Sequence, residues 1–97
     1  MQDQDPFDSA EGKPLQIPID GTLDLNAFAP RDIPSVVEDY VTEAHTAGFR
    51  EVRLIHGRGK GVQRGIVQQA LERHPLVLQF LDDTASHLGA TIAILKP

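Results

Sequence analysis

The stretch "HGRGKG", His56 to Gly61, sets an imidazole, three glycines and two cations directly behind the apolar pair Leu54 and Ile55. Glycine weakens regular structure, so three of them in five positions need a reason. Either the backbone turns sharply there or something approaches it closely. Arg58 and Lys60 would add positive charge where the glycines let an anion reach backbone N–H groups, an arrangement suited to a phosphate. A second polar group, Asp24 and Asn26 in "LDLN", supplies a carboxylate. With His56, Asp24 is a side chain of the type that takes or gives protons in phosphodiester hydrolysis.

The elements around these residues decide whether they meet. "FREVRLIH" alternates and ends apolar, which predicts a central strand. Val62, Ile66, Val67, Ala70 and Leu71 mark a helix stopped by Pro75. The glycine segment therefore leaves the carboxyl end of a strand and enters a helix. Ligands of open α/β sheets bind at that edge, and the positive end of the helix dipole favours an anion there. "GTLDLNA" alternates Leu23 and Leu25 with polar residues, a strand that should run parallel to the second and bring Asp24 and Asn26 to the same edge.

Between them, Ile33, Val36, Val37, Tyr40, Val41 and Ala44 recur on one helical face. Asp32 is placed to cap its start and Gly48 to close its end. "LVLQFLDD" and "ATIAILK" read as two further strands. The order is β-α-β-α-β-β, an α/β (α+β sandwich) chain with a mixed four-stranded sheet and two helices. Each β-α-β step predicts parallel neighbours, and the closing pair is expected to be antiparallel.

Known phosphate loops do not match. A Walker loop is absent, and a dinucleotide fingerprint would need Gly where Val62 stands. No nucleotide cofactor is expected. The bland alternative for the glycines is a tight strand-to-helix turn with incidental charges. For Asp24 it is an aspartate capping a turn, and for His56 a histidine bonded to the backbone. His45, His74 and His87 lack ligand spacing and read as surface residues.

A chain of 97 residues holds one domain, and at this size roughly 65% of the unfolded surface can be buried. There are no cysteines, so neither a disulfide framework nor a thiolate metal site exists. No apolar run approaches a membrane span, and the acidic start "MQDQDPFDSAEGKP" has no signal-peptide pattern, so a cytoplasmic protein is the default expectation. Residues 1–14 read as a flexible acidic tail and 15–97 as the domain. Net charge is −5, yet Arg50, Arg53, Arg58, Lys60, Arg64 and Arg73 crowd one stretch with only Glu51 and Glu72 opposing. Local fields rather than the total steer a polyanion, although such a stretch can also be a solvated basic face.

On these residues the chain resembles the small MutS-related (Smr) domain family. That family carries an "LDLHG"-type motif on its first strand and an "HGxGxG"-type motif after its second. The resemblance runs from Leu23 to Lys96, through "LDLN", "GFREVRLIHGRGKGVQRGIV", "HPLVLQF" and "LGATIAILK". "PIDGTLDLNAF" further resembles a stand-alone bacterial subgroup. The resemblance implies the β-α-β-α-β-β fold, similar to the C-terminal domain of a bacterial translation initiation factor. It also implies binding of DNA or structured RNA, with nicking or cleavage by several members, linked to DNA repair or recombination.

Carried onto this sequence, the motifs make Asp24 and His56 the catalytic candidates. Gly57, Arg58, Gly59, Lys60, Gly61 and Arg64 become the phosphate-binding ones. Asn26 stands where the family usually has His, and an amide does not titrate. Three readings follow: an endonuclease, a non-catalytic nucleic-acid-binding module, and a protein-interaction domain whose basic stretch meets an acidic partner. No resident metal or membrane contact is expected; a divalent metal in cleavage stays open.

Overall fold

A computed structural model of the chain describes residues 18–57, 61–86 and 89–97. The tail read at 1–14, the cations Arg58 and Lys60, Gly59 and His87 lie outside the described residues. The elements are β1 (Thr22–Asp24), α1 (Ile33–Thr46), β2 (Glu51–Ile55), α2 (Val62–Arg73), β3 (Val77–Asp82) and β4 (Ala90–Leu95). Short 3-10 turns follow β1, precede α1 and precede β4.

The sheet order is β1-β2-β4-β3. β1 runs parallel to β2, and β4 pairs antiparallel with both β2 and β3. The expected parallel neighbours thus occur in the first β-α-β step only. In the second, β4 inserts between β2 and β3, because its apolar "ATIAIL" needs strands on both sides to satisfy a buried backbone.

Alternation along the strands sends Leu23, Val52, Leu54, Ala93 and Leu95 to one face, where they pack with Val37, Val41, Val67 and Leu71 of the helices in a single core cluster. Leu23 and Leu25 are both buried although β1 ends between them, since the 3-10 turn keeps Leu25 pointing inward. Val62, counted in sequence on the apolar stripe of α2, is instead exposed; it lies in the first helical turn, before the helix settles on the sheet.

The ends of α1 show how local sequence sets the frame. Asp32 precedes the helix but makes no capping bond with its side chain, because a 3-10 turn over Pro30–Asp32 already feeds the helix. Gly48, at φ +95, closes it as expected. The Gly48 N–H donates to the His45 carbonyl and the Phe49 N–H to that of Ala44, a Schellman closure that turns the chain into β2. Tyr40 then ties α1 to β1: its phenolic oxygen accepts from the Gly21 N–H at 3.0 Å and its hydroxyl donates to the Thr22 carbonyl at 3.3 Å.

Candidate nucleic-acid interface

The register Leu23↔Leu54 and Asp24↔Ile55 ends β1 and β2 at the same edge of the sheet. Asp24 is exposed there, and its Oδ1 accepts the Asn26 N–H at 2.9 Å, starting the 3-10 turn. Beyond Ile55 the chain leaves the sheet. The N–H groups of His56 and Gly57 both donate to the Gly89 carbonyl at 3.0 Å, and Gly57 takes φ +83. Asn26 Oδ1 lies 3.3 Å from where a Cβ on Gly57 would sit, so the polar end of β1 does face the entrance of the glycine loop. Gly61, at φ +85, forms the other end of that loop and opens α2, and its carbonyl accepts from Gly65.

His56 points the other way. It follows the last residue of β2, two positions beyond the buried Leu54, and it is 2% exposed. Nδ1–H donates to the Gly57 carbonyl at 2.8 Å, and Nε2 lies 2.9 Å from the hydroxyl of Thr91, itself fully buried on β4. Gln68 of α2 donates from Nε2 to Thr91 Oγ1 at 3.0 Å and to Asp82 Oδ1 at 3.1 Å. Arg64, one turn earlier on α2, holds the Asp82 carboxylate with two parallel bonds of 2.8 Å. The loop end of the core is therefore polar, but its groups are mutually satisfied, which is what makes such burial tolerable.

Sequence reasoning placed His56 beside Asp24 and Arg64 beside a phosphate. Among the described residues the structure gives them other partners: Gly57 and Thr91 for His56, and Asp82 for Arg64. Both imidazole nitrogens are engaged inside the fold, and two of the five N–H groups of Arg64 are engaged by Asp82. Bonding to Arg64 holds the Asp82 carboxyl below its ordinary value, against partial desolvation, and Gln68 adds to the effect. The same bond raises the guanidinium further.

Arg53 of β2, on the face opposite Val52 and Leu54, meets Asp83 at 2.6 Å. The stretch is thus less positive in space than in sequence: Asp82 and Asp83, distant along the chain, sit against Arg64 and Arg53. Thr91, Gln68 and Asp82 carried no site expectation: "GAT" entered only as part of the family resemblance, and nothing in "VQQA" or "FLDD" marks a partner for His56. The one available signal was strand alternation, which puts Thr91 on the core side of "ATIAIL".

His74 is also not a surface residue. It is 8% exposed, with Nε2 at 3.2 Å from both the Thr42 hydroxyl and the Glu38 carbonyl, and Nδ1 accepts the Leu76 N–H. It joins the end of α2 to α1 beside a cleft of about 160 Å³ lined by Pro34, Glu38, Ala70, Arg73, His74 and Pro75. That volume falls below the roughly 300 Å³ at which small-molecule sites begin. The cleft lies at the opposite end of α2 from Gly61. Among the described residues, no three His, Asp or Glu side chains gather as a metal site, and no helix is long and apolar enough to cross a membrane.

The Smr domain family model matches residues 23–96. The endonuclease MutS2 of Caldicellulosiruptor saccharolyticus is 38% identical over 80 residues, covering 80% of this chain and 10% of that protein. The endonuclease MutS2 of Geobacillus kaustophilus is 32% identical over 95 residues, 98% of this chain and 12% of that protein. The chain therefore spans about a tenth of the curated relatives it matches. Among solved structures, the Smr domain of Thermus thermophilus MutS2 superposes with a TM-score of 0.72 at 29% identity, covering 78% of this chain and 98% of that one. YdaL, a stand-alone small MutS-related protein from Escherichia coli, gives 0.74 at 22% identity, over 88% and 71% of the two chains, a likeness of fold.

Proposed function

The chain belongs to the Smr domain family, and on that premise we propose that it binds DNA or structured RNA at the edge formed by Asp24, Asn26, Gly57 and the start of α2, and nicks it weakly. The observation that carries this reading is the approach of Asn26 to Gly57, which joins an exposed carboxylate to the loop entrance. A phosphate at that edge would meet the positive end of α2, with Arg58, Gly59 and Lys60 on the loop between Gly57 and Gly61 and the remaining N–H groups of Arg64 nearby. Asp24 spends Oδ1 on the Asn26 N–H and keeps Oδ2 to orient and deprotonate a water that attacks phosphorus, while the P–O ester bond to one strand end breaks and its departing oxygen takes a proton from solvent. In this proposal His56 shapes the loop rather than moving the proton. The name of the MutS2 relatives supports the nicking part of this reading; a setting in DNA repair or recombination in the cytoplasm belongs to the same proposal.

A non-catalytic binding module is the second reading, favoured by Asn26, whose amide cannot exchange a proton in catalysis. Two measurements separate them. Supercoiled plasmid incubated with the protein, with and without a divalent metal, should be converted slowly to the nicked circle; intact plasmid alongside measurable binding selects the module. Arg58→Ala with Lys60→Ala should weaken binding to all sequences alike and lower the salt slope by about one unit per lost phosphate contact. Unchanged affinity in a folded double variant would favour instead the protein-interaction reading.

A further inference from the structure

We propose that Thr91, Gln68 and Asp82 are positioning residues for the glycine loop, acting through His56: they dictate which ring nitrogen carries the proton and so pin the Gly57 carbonyl at the loop entrance. Asp82 only accepts hydrogen bonds, and Arg64 donates to both its oxygens. The end of Gln68 that faces Asp82 must therefore be its NH₂ group, which fixes the orientation of the amide. The second N–H of that group reaches Thr91 Oγ1 at 3.0 Å. With its oxygen accepting from Gln68, the Thr91 hydroxyl sends its proton to its other described partner, His56 Nε2, at 2.9 Å. Nε2 is thereby the bare nitrogen, and Nδ1–H is the donor that meets the Gly57 carbonyl at 2.8 Å.

Every bond in this chain has a direction set by the one before it, from the Arg64–Asp82 pair inward. Its members come from three elements: Arg64 and Gln68 from α2, Asp82 from β3 and Thr91 from β4. The register Leu54↔Thr91↔Asp82 lines the two strand residues up across the sheet, and His56 lies two residues beyond Leu54 on the same face. Gly57 is consequently held on both sides, its N–H by Gly89 and its carbonyl by His56. Arg64 and Gln68 clasp the first turns of α2 to the same strands. Both ends of the glycine loop are thus fixed by one network, and Arg64 is its outer anchor.

The consequence for affinity rests on the nucleic-acid reading above; the tautomer does not. Long-range ¹H–¹⁵N correlation spectra of the whole chain should show His56 protonated at Nδ1 and bare at Nε2. Thr91→Ser, which keeps the hydroxyl, should preserve that signature and the affinity for fluorescein-labelled single-stranded and duplex oligonucleotides. Thr91→Val and Gln68→Met should blur the tautomer, shift the Gly57 and Gly61 amide resonances and weaken binding roughly fivefold to tenfold, the net worth of about one hydrogen bond.

A wild-type His56 protonated at Nε2 overturns the proposal. So do valine and methionine variants that bind and resonate as the wild type does. Should Thr91→Val fail to fold, Gln68→Met decides, because Gln68 is only partly buried. Should the wild type bind neither oligonucleotide, the proposed function falls, and the tautomer with the two glycine resonances still decides the positioning role.

Discussion

The amide oxygen of Asn26 lies 3.3 Å from the place a Cβ on Gly57 would take, while Gly57 itself sits at φ +83. Two separate constraints meet at this glycine. One is the left-handed backbone that turns the chain out of β2; the other is contact with the first strand's polar end. Asn26 could shift, since its tip is the far end of a flexible side chain, whereas the backbone angle is held by bonds to Gly89 and His56.

Gly57→Ala should therefore cost about 1–2 kcal/mol, mostly backbone strain. Gly61→Ala, at φ +85 with nothing within 4 Å of its Cβ position, should cost a similar amount by strain alone. Urea denaturation reads both. Adding Asn26→Ala to Gly57→Ala should recover no more than about 0.5 kcal/mol. Full recovery would make the contact, not the angle, the cause.

Asp24→Asn keeps an oxygen for the Asn26 N–H, so the turn after β1 should survive and stability change little. Plasmid nicking should fall to background while oligonucleotide affinity holds. Asn26→His should raise nicking, by roughly 10²–10⁴-fold where the ring reaches the substrate. Strong wild-type nicking that neither change alters would move the chemistry away from Asp24.

Tyr40→Phe should destabilise the fold by about 1–2 kcal/mol at pH 7, because the Gly21 N–H loses its buried acceptor. Burial also pushes the Tyr40 phenol above its ordinary value of 10.0. The unfolded chain ionises from pH 10 upward while the folded one resists, so the wild type loses stability over that range and the Phe variant does not. The gap between them in denaturant midpoint should narrow as pH rises through 10.

Asp82 has the opposite sign. Its folded value lies below the ordinary 3.8, chiefly through Arg64, so its stabilisation is present in full above pH 3.8 and disappears as pH falls through the folded value. Asp82→Asn should be less stable than wild type at pH 7 and converge on it in acid. A difference that stays constant down to the acid limit would show that the Arg64–Asp82 pair contributes nothing to stability.

Much of the frame was legible because it rests on short-range chemistry. The apolar spacing from Ile33 to Ala44, the Gly48 closure, the alternation in "FREVRLIH" and the glycines at 57 and 61 each state a backbone requirement within a few residues. Those requirements hold wherever the chain folds. The motifs at Asp24 and His56 were likewise visible, and with them the family. The edge where β1 and β2 end followed from one parallel step.

That β4 pairs antiparallel with β3 was legible, but its place in the sheet was not. Its insertion between β2 and β3 depends on which strands can satisfy its backbone, a matter of the whole sheet, and it is this insertion that sets Thr91 between Leu54 and Asp82. From that single choice follow the inward turn of His56 and the engagement of Gln68. The pairing of Arg64 and Arg53 with Asp82 and Asp83 follows as well. Charges and hydrogen-bond partners act through distance in space, which the sequence does not contain. The residues available for chemistry could thus be read from the chain, but which are exposed at the edge and which are spent inside was decided by the packing of β4 and α2.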